Sequence, residues 1–147
     1  MDDEEPVNPA KEYRLDEQVG HLLRRANQRH GVLFSERFAD SGLTALQFAV
    51  VMKLAEVGET SQNRLGRLTA MDPNTIQGVV TRLVGRGLVE RRQHPADRRR
   101  VNLALTADGT ALAQALVQDG IRISGETLAP LNSRESETFL ALLRKLI

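Results

Sequence analysis

Residues 71–87, MDPNTIQGVVTRLVGRG, divide into two unlike faces. Asp72 and Pro73 form a strong helix start. The Asp carboxylate accepts from free N–H groups of the first turn, and Pro at the first position has no N–H to leave unsatisfied. Gly87 is a natural stop, because glycine takes up the left-handed backbone that ends helices. At about 100° per residue, Ile76, Val79, Val80, Leu83 and Val84 gather on one side. Asn74, Thr75, Gln77, Gly78, Thr81, Arg82, Gly85 and Arg86 occupy the other, whose centre (Gly78, Thr81, Gly85) is small throughout. Each helix-interior glycine costs about 1 kcal/mol relative to Ala, so a surface without bulk has been kept at a cost.

The surrounding pattern gives that helix a context. Thr60 or Ser61 can cap a short helix through Leu68, and the tight turn Thr69–Asp72 then leads into the second helix. This is a helix-turn-helix signal. Upstream, the sequence predicts a long helix from Lys11 to Phe38. It also predicts a Thr44-capped helix over Ala45–Val57 that is apolar on nearly every side and therefore central. Downstream, LVERRQ and RRVNLAL read as two strands around the turn HPADRR, with Val101, Leu103 and Leu105 alternating against Asn102 and Ala104. Thr106 caps a helix from Ala107 to about Thr127. Asn132 or Ser133 caps a last one carrying Phe139, Leu140, Leu142, Leu143, Leu146 and Ile147. The expected fold class is mainly α with a small β-hairpin, a winged helix-turn-helix with helices added at both ends. Its expected parts are a flexible acidic tail (1–10), an N-terminal helix (11–38), the winged helix-turn-helix (39–105) and C-terminal dimerisation helices (106–147).

At 147 residues the chain suits a single core. It has no cysteine, which excludes disulfides and thiolate metal sites. The start MDDEEP is acidic and lacks the apolar run of a signal peptide, and no apolar run reaches the roughly 18 residues of a membrane span. A cytoplasmic protein without membrane association is the expectation. Net charge is only +1, yet Thr60–Arg100 holds nine Arg against three acids, a local +6 that leaves −5 for the rest. That asymmetry points to a polyanion partner for the middle of the chain.

A helix set into the DNA major groove needs polar donors on its outer face and little bulk where it meets base edges. Asn74, Thr75 and Gln77 reach bases or phosphates, Gly78, Thr81 and Gly85 allow close approach, and Arg82 and Arg86 flank them. The basic hairpin that follows reads as a wing whose tip enters the minor groove, where Arg is favoured. Asp97 is expected to orient one of Arg98, Arg99 and Arg100 by a charge-assisted hydrogen bond. Ser61 and Gln62, at the start of the short helix, complete the expected DNA contacts.

GLVERRQHPADRRRVNLALTADG (87–109) resembles the wing and following helix of the MarR (multiple antibiotic resistance regulator) family, DPNTIQGVVTRLVGRG its recognition helix, and LTALQFAVVMKL (43–54) the helix before. The resemblance implies a homodimer built on its first and last helices, binding pseudo-palindromic DNA as a repressor released by a small molecule. It carries DNA-reading roles to Asn74, Thr75, Gln77, Gly78, Thr81 and Arg82, and to Asp97, Arg98 and Arg99 on the wing. Thr81 departs from the Asp that many relatives carry there, so their operator preferences do not transfer. The residues themselves also point to a dimer, since the last helix has more large apolar residues than a small domain can bury.

Two residues of the first helix, His30 and Arg37, fall on its apolar side, where an Arg needs an anionic partner. One explanation is an ion pair with Glu36, Asp40 or the other subunit. The other is that His30 or Arg37 meets the acidic group of an effector, in a pocket walled by Phe34, Phe38, Phe48 and Met52. LTALQFAVV with DPNTIQGVVTRL looks most like the branch controlling aromatic-acid degradation. That resemblance implies an aromatic carboxylate or its coenzyme A thioester, such as a hydroxycinnamoyl or benzoyl thioester, as effector. The lack of cysteine argues against peroxide sensing, and three scattered His argue against zinc sensing. No phosphate loop, nucleophile elbow or metal-ligand cluster suggests an enzyme, and no cofactor is expected. A non-specific architectural DNA binder and a winged-helix protein-interaction module remain the competing readings.

Overall fold

A computed structural model describes residues 8–147. In chain order its elements are α1 (Pro9–Glu12), a 3-10 turn (Leu15–Glu17), α2 (Val19–Phe38), a second 3-10 turn (Ala39–Ser41), α3 (Ala45–Val57), β1 (Thr60–Ser61), α4 (Gln62–Leu68) and α5 (Pro73–Gly85). The hairpin β2 (Val89–His94) and β3 (Asp97–Leu105) follows, then α6 (Ala107–Leu128) and α7 (Ser133–Arg144). The mainly helical class with a winged helix-turn-helix at its centre is as the sequence predicts. The acidic tail lies mostly outside the described residues, and its end is ordered, with Asn8 capping α1.

The single helix expected over Lys11–Phe38 is three pieces. Tyr13, Arg14 and Gln18 take extended backbone angles between them. Helical spacing of Leu15 and Val19 concealed this, because neither side chain is buried (55% and 66% exposed) and no packing enforces continuity.

Local chemistry sets the other boundaries. Thr44 and Gln47 form a reciprocal capping box at α3, as Asn132 and Glu135 do at α7. Thr106 caps α6 through the Gly109 N–H. Gly87 takes a φ of +70° and turns the chain from α5 into β2.

The core is built from the inner faces of α3 and α5. Val50, Val51, Leu54, Ile76, Val80 and Leu83 are essentially inaccessible, with Leu65 of α4 and Leu103 of β3 closing the cluster. Burying each such side chain stabilises by roughly 1.5–3 kcal/mol, which outweighs the two glycines on the outer face of α5. The position of α6 is fixed at its start by Gly109, where a Cβ would fall on the Leu88 carbonyl.

The sheet has three antiparallel strands in the order β1-β3-β2, not the two of the expected hairpin. Thr60, one of the two candidate caps, is instead a buried β1 residue opposite Leu103, and Ser61 alone caps α4. Val101 also departs from expectation at 45% exposed. It pairs with Gln93 near a bulge, where the hairpin has left the body and no core remains to alternate against.

Candidate nucleic-acid interface and effector cavity

The turn between α4 and α5 is held by Met71 N–H donating to the Gly66 carbonyl at 2.8 Å, with Ala70 left-handed at φ 54°. It sets α5 with its apolar face inward and Asn74, Gln77, Thr81 and Arg82 exposed. A Cβ on Gly78 would meet only the Arg82 Nη1 at 3.8 Å, and one on Gly85 would meet nothing within 4 Å. The protein's own packing therefore requires neither glycine.

Thr75 differs from expectation in its chemistry. Its hydroxyl donates to Asp72 Oδ2 at 2.6 Å, while its N–H donates to Asp72 Oδ1 at 2.9 Å. The hydroxyl proton is held within the cap, leaving the oxygen's lone pairs and a methyl for contacts outside. The same bonds, led by the Thr75 hydroxyl, hold the Asp72 carboxyl below the usual aspartate range.

Arg86, expected among the DNA contacts, is engaged within the chain. Its guanidinium donates to the Gly42 carbonyl at 3.0 Å and the Ser41 carbonyl at 3.1 Å, fastening the end of α5 to the turn after α2. On the wing, Asp97 accepts from the Arg99 backbone N–H at 3.0 Å and not from a guanidinium. It shapes the turn and does not aim an arginine. Arg98, Arg99 and Arg100 are all exposed, and among the described residues none of them forms an ion pair. Alternation along β3 puts Arg98 and Arg100 on one face and Arg99 on the other.

Arg100 faces a polar cleft of about 660 Å³ between α4 and the wing, which also takes in Ser61, Gln62, Asn63, Arg64, Arg67 and His94. Ser61 Oγ accepts from the Arg64 N–H at 3.3 Å, leaving its own proton to donate outward. The sequence alone does not point to Asn63 or His94, and it marks Arg64 and Arg67 only through the regional charge; β1, paired with β3, is what brings α4 beside the wing. Glu59 braces this arrangement, accepting from Asn102 at 3.1 Å and from Arg92, whose guanidinium also binds Glu90.

The residues proposed for an effector separate into three places. His30, Phe34 and Phe48 line one cavity of about 290 Å³ with Ala45, Ala49, Gly120, Ile123 and Ser124, between α2, α3 and α6. Phe38 stands behind it, only 2% exposed, stacked on Phe34 at 4.4 Å and edge-on to Phe48 at 4.7 Å. Met52 lies instead in a groove between α3, α6 and the base of the hairpin. Arg37 is paired with Glu126 of α6, so the anionic partner expected from Glu36, Asp40 or another subunit comes from within the chain. Arg29 donates to the Glu126 and Thr127 carbonyls beside it. Among the described residues there is no group of three or more metal-ligating side chains. No single helix there is long and apolar enough to cross a membrane.

Comparison with known proteins agrees with this geometry. The chain is 43% identical over 135 residues to the HTH-type transcriptional repressor NicR of Pseudomonas putida, covering 92% of this chain and 85% of NicR. A crystal structure of a probable transcriptional regulator from Pseudomonas aeruginosa superposes with a TM-score of 0.88 at 46% identity, covering 91% of this chain and all of the other. The structure of Bordetella bronchiseptica BpsR, whose DNA binding is regulated by 6-hydroxynicotinic acid, superposes with a TM-score of 0.87 at 43% identity, over 91% of this chain and 96% of BpsR. Residues 43–101, from just before α3 into β3, match the MarR family directly. The chain belongs to the MarR family of transcriptional regulators.

Proposed function

We propose that this protein is a cytoplasmic, non-enzymatic repressor that binds a pseudo-palindromic operator as a homodimer and is released by a single-ring aromatic carboxylate. The observation that carries the DNA-reading part is Gly78. It sits mid-helix at a cost in helix propensity, no internal contact calls for it, and exposed Asn74, Gln77 and Arg82 surround it. In this reading α5 lies in the major groove, the wing arginines enter the minor groove, and the α4–wing cleft seats a backbone phosphate.

The dimer reading rests on α7, which buries no residue within the protomer. Its Phe139 and Leu142, with Leu146 just beyond its end, face Val19, Leu22 and Leu23 of α2 across an open apolar groove. Exposed apolar surface of that kind marks an interface. Two copies set one DNA turn apart, roughly 34–36 Å, would read two half-sites.

For the effector, the cavity against Phe34 and Phe48 offers aromatic walls with His30 and Ser124 as its polar groups. Its 290 Å³ lies at the small end of ligand pockets, which run from about 300 to 1,000 Å³. That size favours a free aromatic acid over its coenzyme A thioester. BpsR's response to 6-hydroxynicotinic acid supports the same class.

The test is fluorescence anisotropy with DNA from upstream of the protein's own gene against scrambled DNA at one fixed salt concentration. A preference of about 10³-fold or more is expected, reversed by 6-hydroxynicotinate or benzoate. Equal binding to both DNAs, and to any sequence recovered by unbiased selection, would replace this reading with an architectural one.

A further inference from the structure

The hydrogen bonds behind the effector cavity have a fixed polarity. Thr127 Oγ1 donates to the Ile123 carbonyl at 2.7 Å, which can only accept. A hydroxyl has one proton, so the 2.9 Å contact between Thr127 Oγ1 and His30 Nδ1 requires Nδ1 to be the donor. The proton of neutral His30 is therefore on Nδ1, and Nε2 carries the lone pair. Nε2 has no hydrogen-bond partner among the described residues, and the ring borders the cavity. We propose that Thr127 is a positioning residue that holds His30 in this tautomer, and that an anionic aromatic ligand binds with uptake of one proton at His30 Nε2.

The proposal rests on the effector reading above and specifies its chemistry. A carboxylate brought against a neutral Nε2 would set two acceptors facing each other. One proton from solvent on Nε2 makes an imidazolium, with Nδ1–H still donating to Thr127 and Nε2–H donating to the carboxylate. The inserted pair is then neutral overall, as burial requires. Among the described residues, no other cation beside the cavity is free to do this. Arg37 on α2 is neutralised by Glu126 on α6, and Arg29 is turned onto the Glu126 and Thr127 carbonyls. On α3 the cavity walls are Ala45, Phe48 and Ala49, and on α6 Ser124 is its polar group, none of them ionisable in this range.

Two measurements separate this inference from the effector reading. In the ligand-free protein, long-range ¹H–¹⁵N correlation spectra at pH 8.5 should show His30 protonated at Nδ1. Thr127→Val should move the proton to Nε2, and Thr127→Ser should restore it. An Nε2–H tautomer in the unsubstituted protein would overturn the proposal whatever the ligand does. Calorimetric titration with benzoate and 6-hydroxynicotinate, in phosphate and in Tris at pH 7.5, should give net proton uptake. Thr127→Val should weaken both acids roughly tenfold or more, with Thr127→Ser close to the parent. Binding without proton uptake would overturn the His30 step and leave the effector reading standing. Absence of binding by any aromatic acid, with His30 protonated at Nδ1, would overturn the effector reading and the proton uptake while upholding the hold of Thr127 on the ring.

Discussion

Replacing Gly78 sets two consequences of the fold against each other. Position 78 is mid-helix, and a Cβ there would lie 3.8 Å from an arginine nitrogen, an ordinary contact. Ala or Leu should therefore stabilise the protein by about 0.8–1 kcal/mol through helix propensity. For a chain of this size that raises Tm by roughly 2–4 °C. At the DNA the same change acts oppositely. A leucine side chain on the outward face of α5 occupies the space through which base edges approach, so the helix cannot seat and only phosphate contacts remain. Specific binding exceeds non-specific binding by about 10³-fold or more, and Gly78→Leu should lose that whole margin. Gly78→Ala, adding one methyl, should lose part of it. Differential scanning calorimetry and fluorescence anisotropy at one salt concentration measure the two effects on the same preparations. A Gly78→Leu protein that melts higher and still prefers operator to scrambled DNA would refute the docking geometry. One that melts lower would show that the glycine serves the fold, and the clearance argument would fail at its first step.

Two other perturbations follow from the interface. Arg86→Ala should lower Tm by releasing the turn after α2, while the ratio of operator to scrambled affinity stays unchanged. Arg82→Ala should do the reverse, and a specificity loss confined to Arg86→Ala would return that residue to the groove. Asp72, held below the ordinary aspartate range by Thr75, contributes stability that is present above its unfolded value. That stability is lost as pH falls through the depressed folded value. Asp72→Asn keeps a capping oxygen without the charge and should flatten Tm against pH in the acid range, which thermal melts from pH 7 down to pH 3 would measure.

What could be read before the structure was whatever short-range chemistry determines. Thr44, Asp72, Thr106 and Asn132 each cap a helix within three residues of the group they bond, and Gly87 needs only its own φ. The inner face of α5 follows from a period that no distant contact overrides. The failures share the opposite property. β1 is two residues long, too short to show alternation, and exists only because Leu103 and Asn102 lie opposite it. Arg37 finds its acid 89 positions away, and Arg86 its carbonyls 44 and 45 positions away. Helical spacing marked Arg37 as needing a partner without naming Glu126. The effector set fared unevenly for the same reason. Phe34 and Phe48 share a cavity with His30, whereas Met52, one turn further along α3, faces a different groove.

The length of α6 has a mechanical meaning. Near its start, Gly109 is seated on the Leu88 carbonyl and Thr106 is bonded to the Gly87 carbonyl, so that end is clamped to the root of the hairpin. Fourteen residues later Ile123 walls the cavity. At about 1.5 Å per residue the two points are roughly 21 Å apart along one unbroken rod. A tilt of about 5° pivoting at one end carries the other through roughly 2 Å, over half the rise of a DNA base-pair step at about 3.4 Å. In the proposed reading, a ring wedged at the Ile123 end would tilt this rod, and the hairpin root clamped to its start would turn with it.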